Sequence, residues 1–203
     1  MMPSASPRRV PASVDAHVVD LFGPYLGLDN LNLGCARNHL DGFTNLDCSP
    51  NVGADVVWDL HDLPLPFEDN RWDCIFGSHV FEHICRERFI QLAGELQRIL
   101  RPGGYLISVT PYCSSDDAID NPFHLQTFSE ITWHYADQRI YQTPGTAGYG
   151  DFGVDWDLPV IATHFVPYPE HRHAPDLDIR RRHWRNVIQE LHVVMQKPRR
   201  KDG

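Results

Sequence analysis

Phe89-Ile90-Gln91-Leu92-Ala93-Gly94-Glu95-Leu96-Gln97-Arg98-Ile99-Leu100-Arg101-Pro102-Gly103-Gly104-Tyr105-Leu106-Ile107-Ser108-Val109 reads as helix, stop and buried strand in one unbroken run. Phe89, Leu92, Leu96, Ile99 and Leu100 recur at helical spacing, so Arg86–Leu100 is expected to be an amphipathic helix. Pro102-Gly103-Gly104 stops it. Tyr105–Val109 is apolar nearly throughout, as a parallel strand covered on both faces should be. Upstream, Trp72–Gly77 reads as another buried strand. Strand, helix and strand in this order indicate an α/β sheet with right-handed crossovers.

Working outward, extended runs are expected at Leu28–Leu33, Phe43–Asp47 and Asp55–Asp59, with a Pro-containing loop over Leu60–Asn70. Ser13 can cap a helix whose apolar positions are Val14, Val18, Leu21, Phe22 and Leu26. Val160–Phe165 and Val187–Met195 are the expected last strands. The organisation expected is a loose N-terminus over residues 1–12, one domain over 13–197 and a basic tail over 198–203. Within the domain, residues 112–178 are rich in aromatics and Pro and weak in periodicity. They form an insertion before the last strands, too long for a simple connection and expected to act as an acceptor lid. Trp133, Tyr135, Tyr141, Tyr149, Phe152 and Trp156 are its candidate stacking residues, with a plain apolar minicore as the other use for them.

Leu31-Asn32-Leu33-Gly34-Cys35-Ala36 is a strand entering a tight turn of small residues, which lets main-chain N–H groups approach a ligand closely. Asp47 closes the second extended run and Asp59 the third. A turn followed by acids at successive strand ends fits a nucleoside-containing cofactor lying across the carboxyl edge of a doubly wound sheet.

Three stretches then make the pattern specific: Leu63–Ile75, Ser78-His79-Val80-Phe81-Glu82-His83-Ile84, and Glu95–Gly104. From residue 28 to 111 the chain resembles class I S-adenosylmethionine-dependent methyltransferases. Within them it resembles a compact subgroup, since only Arg37–Gly42 separates the turn from the next strand. The resemblance implies a Rossmann-like, doubly wound, mostly parallel seven-stranded sheet. It implies S-adenosylmethionine as cofactor and S-adenosylhomocysteine as product, with no metal expected. Gly34, Cys35 and Ala36 would face the methionine part, Asp47 the ribose hydroxyls, Asp59 and Leu60 the adenine, and Ser78 the methionine end. Ala36 stands where the family has a second turn glycine. The acceptor side would offer His79, His83 and His124 as catalytic candidates. His124 comes first among them, because the segment after the fifth strand faces the acceptor in this fold.

Other motifs overlap the same residues. His79-Val80-Phe81-Glu82-His83 spells H-x-x-E-H, an inverted zinc-protease motif, but the sequence places no third ligand. A nicotinamide dehydrogenase would need G-x-G-x-x-G, and Gly34 stands alone. Thr110-Pro111-Tyr112 and Asn121-Pro122-Phe123 faintly resemble the aromatic-proline motif of base-amino DNA methyltransferases, yet they lie after the wrong strand and read as turns. His171-Arg172-His173, near His164, is expected to be a solvated loop rather than a metal site.

Composition sets the outer limits. The 203 residues, 42 % hydrophobic, can bury a real core. Net charge is −9, but unevenly so: residues 1–179 hold 10 basic and 25 acidic groups, and residues 180–203 hold 8 and 2. Five cysteines without a CxxC pair are expected to be reduced thiols of a cytoplasmic protein. The N-terminal stretch lacks the apolar run of a secretory signal, and no stretch is long enough to span a membrane. The expected activity is methyl transfer to an O or N nucleophile of a small-molecule or saccharide acceptor. The alternatives are a nucleic-acid or protein methyltransferase using Arg180-Arg181-Arg182 and Lys197–Lys201 as an electrostatic handle, or a non-catalytic cofactor-binding protein.

Overall fold

Seven strands form one sheet in the order β3-β2-β1-β4-β5-β7-β6. They are β1 (Asn30–Leu33), β2 (Phe43–Asp47), β3 (Val56–Val57), β4 (Trp72–Ser78), β5 (Leu100–Pro111), β6 (Val160–Pro167) and β7 (Ile188–Gln196). The computed structural model describes residues 20–137 and 157–199. All neighbouring pairs are parallel except those of β7, which runs antiparallel to both β5 and β6. This is the doubly wound, mostly parallel sheet that the sequence leads one to expect. Register brings the carboxyl ends together: Leu33 lies between Leu46 and Gly77, and Asp47 pairs with Val57.

The crossover from β4 to β5 carries α1 (Arg86–Ile99), whose Phe89, Leu92, Ala93, Leu96 and Ile99 are buried against the sheet. It ends one residue earlier than periodicity suggests, because Leu100 already pairs with Trp72 as part of β5. Lys197 Nζ donates to the carbonyls of Gln97 at 2.7 Å and Leu100 at 2.8 Å. A cation thus satisfies carbonyls that the helix end leaves open.

The opposite face is built differently. Turns, not helices, join β1 to β2 and β2 to β3. Phe22 and Leu26 cover part of that face against Phe43, Phe76, Val109 and Val194. Two buried asparagines support the short connection after β1. Asn32 Nδ2 donates to Asn45 Oδ1 at 2.9 Å and to the Asn38 carbonyl at 3.2 Å, while Asn45 Oδ1 accepts from Leu40 N at 2.9 Å. Side-chain amides therefore meet the backbone groups that a helix would have satisfied internally.

Several local expectations shift. β1 starts at Asn30 rather than Leu28, and β3 shrinks to Val56–Val57 at the sheet edge. Thr110-Pro111 is the end of β5 rather than a turn. Residues 112–137 pack onto α1: Phe128 and Trp133 are buried, and Trp133 meets Phe89 with ring centroids 4.9 Å apart. Trp133 is accordingly a core residue, whereas Tyr135 is exposed. The expected helix start at Ser13, the stacking candidates Tyr141, Tyr149, Phe152 and Trp156, and most of the basic tail lie outside the described residues.

The Pro-containing loop before β4 is held by one side chain. Arg98 donates to the carbonyls of Phe67 at 2.8 Å and Leu65 at 3.2 Å, and pairs with Glu95 and Asp69 at 2.8 Å each. Arg98→Ala is expected to destabilise the protein by about 1–3 kcal/mol, the range for charge-assisted hydrogen bonds. Arg98→Lys should recover little, because a point charge cannot replace the planar fork. Urea denaturation with amide exchange over 65–70 checks both. Arg98 also holds the Glu95 carboxyl below its ordinary value. That part of the stability is full above the ordinary Glu range and is lost as pH falls through the lowered value.

Candidate active site

At the end of β1 the chain turns with Gly34 at φ +60° and Ala36 at φ +45°. A Cβ on Gly34 would lie 2.5 Å from Val80 Cγ2 and 2.8 Å from Val80 Cβ. Close approach and left-handed backbone together require glycine here. Ala36 takes the left-handed conformation despite its methyl group, as the turn demands.

Asp47 spans this turn from the end of β2. Its Oδ2 accepts from Ala36 N at 2.8 Å and its Oδ1 from Ser49 N at 2.8 Å. Asp59 accepts from His61 N at 2.9 Å, a bond that lowers its carboxyl pKa, and also meets the His61 ring. Leu60 is buried in the main core. Burial, helped by the nearby Asp47 charge, pushes the Cys35 thiol up to about 11, so it is protonated and unreactive at neutral pH. Ser78 ends β4, paired with Val109 of β5. Gly34, Cys35, Ala36, Asp47, Asp59 and Ser78 thus sit at the carboxyl ends of β1, β2, β3 and β4, with Leu60 turned inward.

Beside them, past the ends of β4 and β5, lies a cleft of about 470 Å³. His79, Glu82, His83, Asp116, Asp117, Asp120, His124 and Glu190 supply its titratable groups. The structure brings the three expected histidines together here, on different local geometry from the sequence reading. His79 has φ +52° and Phe81–His83 form a 3-10 turn, so His79 and His83 do not share an α-helix face. Gly77 explains the turn: a Cβ there would lie 2.6 Å from the Phe81 ring, which packs directly against the strand backbone.

The three imidazoles differ in state. His79 sits 3.3 Å from Glu190 Oε1 and 3.4 Å from Glu82 Oε1, and these carboxylates push it up to about 10. It is therefore a cation at neutral pH. His83 Nδ1 lies 3.1 Å from the Phe123 carbonyl. A carbonyl only accepts, so Nδ1 carries the proton and Nε2 keeps its lone pair. His124 Nδ1 donates to the Ala118 carbonyl at 3.2 Å, and its Nε2 accepts from Asn121 Nδ2 at 3.0 Å. Both of its ring nitrogens are engaged. Glu82, Asp116, Asp117, Asp120 and Glu190 are cleft residues that sequence reading passed over. Their only local signals are the Glu in H-x-x-E-H and the Ser-Ser-Asp-Asp run at residues 114–117.

The basic C-terminal end is largely used internally. Arg180 and Arg181 lie on a short helix, α2 (Leu177–His183). Arg180 pairs with Asp176, Arg181 with Glu130 and Asp178, and Arg185 with Asp116. Among the described residues no helix is long and apolar enough to cross a membrane.

Residues 33–108 match the family model of a methyltransferase domain. An S-adenosylmethionine-dependent methyltransferase from Archaeoglobus fulgidus has a similar structure, with TM-score 0.64 at 15 % identity over 89 % of this chain and 92 % of that one. The 1,6-didemethyltoxoflavin-N1-methyltransferase of Burkholderia thailandensis, solved with bound 1,6-didemethyltoxoflavin and S-adenosylhomocysteine, gives 0.54 at 13 % identity over 90 % and 76 %. The [4+2]-cyclase SpnF also gives 0.54, at 14 % identity over 90 % and 81 %. Likeness at these identities speaks to the fold, and the cyclase illustrates that one fold serves several reactions. No curated protein sequence matches the chain. The matched stretch, the strand order with its antiparallel β7 and the structural likenesses agree, and the chain carries a methyltransferase-domain match on the fold shared by class I S-adenosylmethionine-dependent methyltransferases.

Proposed function

We propose that the chain transfers a methyl group from S-adenosylmethionine to an O or N nucleophile of a small-molecule or saccharide acceptor held in the histidine and carboxylate cleft. The single observation that carries this reading is the cleft itself. It measures about 470 Å³, inside the range of small-molecule sites, and its lining residue His79 is the chain neighbour of Val80, which packs against the Gly34 turn. Five carboxylates on its wall oppose a polyanionic acceptor. The internal pairing of Arg180, Arg181 and Arg185 takes away much of the charge that a nucleic-acid handle would need. The acceptor test uses labelled methyl donor and cell extract separated into nucleic acid, protein, glycan and small-molecule pools. Label is expected in the glycan or small-molecule pool, and label confined to nucleic acid or protein would overturn the acceptor class.

The turn fits the cofactor. Gly34 presents bare backbone, and the Asp47 carboxylate stands beside it with lone pairs beyond its two internal bonds. Bound there, the cofactor supplies a methyl group already activated by its sulfonium. The protein's own task is then alignment and proton management. His79 is already protonated and contributes positive charge between Glu82 and Glu190. His124 is locked by two hydrogen bonds and positions the Asn121–His124 segment. His83 keeps a ring nitrogen without an intramolecular partner, so it is the imidazole that can accept a proton from a hydroxyl acceptor.

Asp47→Ala is expected to weaken S-adenosylhomocysteine binding about 10- to 100-fold, or ~1.4–2.8 kcal/mol. It removes both the ribose partner and the bond that fixes Ala36 N. Calorimetric titration checks this, and an unchanged Kd would take Asp47 out of the site.

A further inference from the structure

We infer that Glu82, His83 and His124 form a binding site for one divalent first-row transition cation on the wall of the cleft. One ligand atom from each lies within 4.8 Å of the others. Ligands about 2.0–2.2 Å from an ion stand at most about 4.4 Å apart, so closing the site needs only a few tenths of an ångström.

Glu82 is the most telling member. Its side chain is 2 % exposed, it lines the cleft, and neither carboxylate oxygen has a hydrogen-bond partner. His79 Nδ1 lies 3.4 Å from Oε1 as an ion pair, which leaves Oε2 with no partner among the described residues. A buried carboxylate is costly unless it is paired or coordinates a metal.

The histidines are held as metal ligands usually are. His83 Nδ1 donates to the Phe123 carbonyl and His124 Nδ1 to the Ala118 carbonyl, which fixes both tautomers with Nε2 as the lone-pair atom. On His124 that lone pair now accepts from Asn121 Nδ2, a bond the ion would displace. Two imidazoles with one carboxylate favour Mn²⁺, Fe²⁺, Co²⁺ or Zn²⁺ over Mg²⁺ or Ca²⁺, which prefer all-oxygen sets. Three protein ligands leave coordination positions open to the cleft. Asp116, Asp117, Asp120 and Glu190 line the same space and raise the local concentration of cations.

This replaces the expectation of no metal, and the paired ligands are Glu82 and His83 rather than the His79 and His83 of H-x-x-E-H. It deepens the proposed function and rests on it in one respect: with the cleft as acceptor site, the ion's open positions would bind an acceptor's hydroxyl oxygen and lower its pKa, and His83 Nε2, held as a ligand, would then give up the role of proton acceptor. That makes hydroxyl-bearing acceptors the favoured class.

The test strips the full chain with a chelator and titrates it with Co²⁺, reading the visible absorption of the protein-bound ion. One equivalent is expected to bind and to be displaced by Zn²⁺. Glu82→Gln and His124→Ala should each weaken binding by at least about tenfold, with circular dichroism and thermal melting unchanged. Should Glu82→Gln not fold, His83→Ala and His124→Ala carry the same test from the cleft wall. Absence of protein-bound absorption, or variants that bind Co²⁺ as tightly as the parent, would overturn the site. S-adenosylhomocysteine binding is measured on the same samples. Cofactor binding without Co²⁺ binding sinks the ion site alone, and Co²⁺ binding without cofactor binding supports the ion site while sinking the methyltransferase reading.

Discussion

Gly34→Ala is expected to destabilise the protein by about 2–5 kcal/mol and to abolish measurable S-adenosylhomocysteine binding at ordinary concentrations. Two costs combine. Placing an L-residue at φ +60° costs about 1–2 kcal/mol. The new Cβ also lies 2.5 Å from Val80 Cγ2, and overpacking of this kind costs about 1–3 kcal/mol. Val80 cannot simply retreat, because it sits between the Gly34 turn and the 3-10 turn that carries Glu82 and His83. The double variant Gly34→Ala/Val80→Ala should recover part of the packing cost and none of the backbone cost. Urea denaturation separates the two, and calorimetry reads the cofactor. A Gly34→Ala protein as stable as its parent would mean that the turn is not built as described.

The strongest signals in the sequence were those in which local pattern and tertiary role coincide. α1 and β5 are legible because helical spacing, a Pro-Gly-Gly stop and an apolar run all agree across Phe89–Val109, and burial in the structure follows the same residues. β3 is less legible, since apolar Val56 and Val57 end in Trp58 and Asp59, and only the edge pairing with Leu46 and Asp47 limits its length. The asparagine bonds under the β1–β2 connection were invisible: Asn32, Asn38 and Asn45 are ordinary polar letters until the sheet stacks two of them. The Gly34 turn is readable because its residues and the acids facing it lie at successive strand ends, so the topology alone brings Gly34, Asp47 and Asp59 to one edge.

The cleft was only half readable for the opposite reason. His79 and His83 were singled out by spacing, but their geometry is set by Phe81 packing against Gly77 and by Phe123, 40 residues away, holding the His83 ring. Asp116 and Asp117 fall in the weakly periodic stretch 112–178, and Glu190 reads as one letter of a strand. Only the antiparallel return of β7 places Glu190 opposite Pro111 and next to His79. Likewise, the excess of positive charge after residue 180 looked like an arm in one dimension. In three dimensions Arg181 reaches Glu130 and stacks on Phe165, and Lys197 caps α1.

Trp133→Ala is expected to cost about 3–5 kcal/mol, the range for deleting a buried aromatic from a core. Trp133 is 1 % exposed and packs among Phe81, Phe89 and Phe128, at ring centroid distances of 5.2, 4.9 and 6.1 Å. Its indole Nε1 is buried without a hydrogen-bond partner, so Trp133→Phe loses no polar contact and should cost only ~1–2 kcal/mol. The contrast decides what this segment is for. If residues 112–137 serve as structure, Trp133→Ala lowers the unfolding midpoint strongly, and Trp133→Phe leaves the KM for the acceptor unchanged. If the ring stacks on the acceptor instead, Trp133→Ala raises KM at nearly constant stability. The first outcome is expected, because Phe81 lies one residue from Glu82 and Phe128 pairs with Tyr112 next to Pro111. Trp133 then acts on the cleft only by holding the two segments that form its walls.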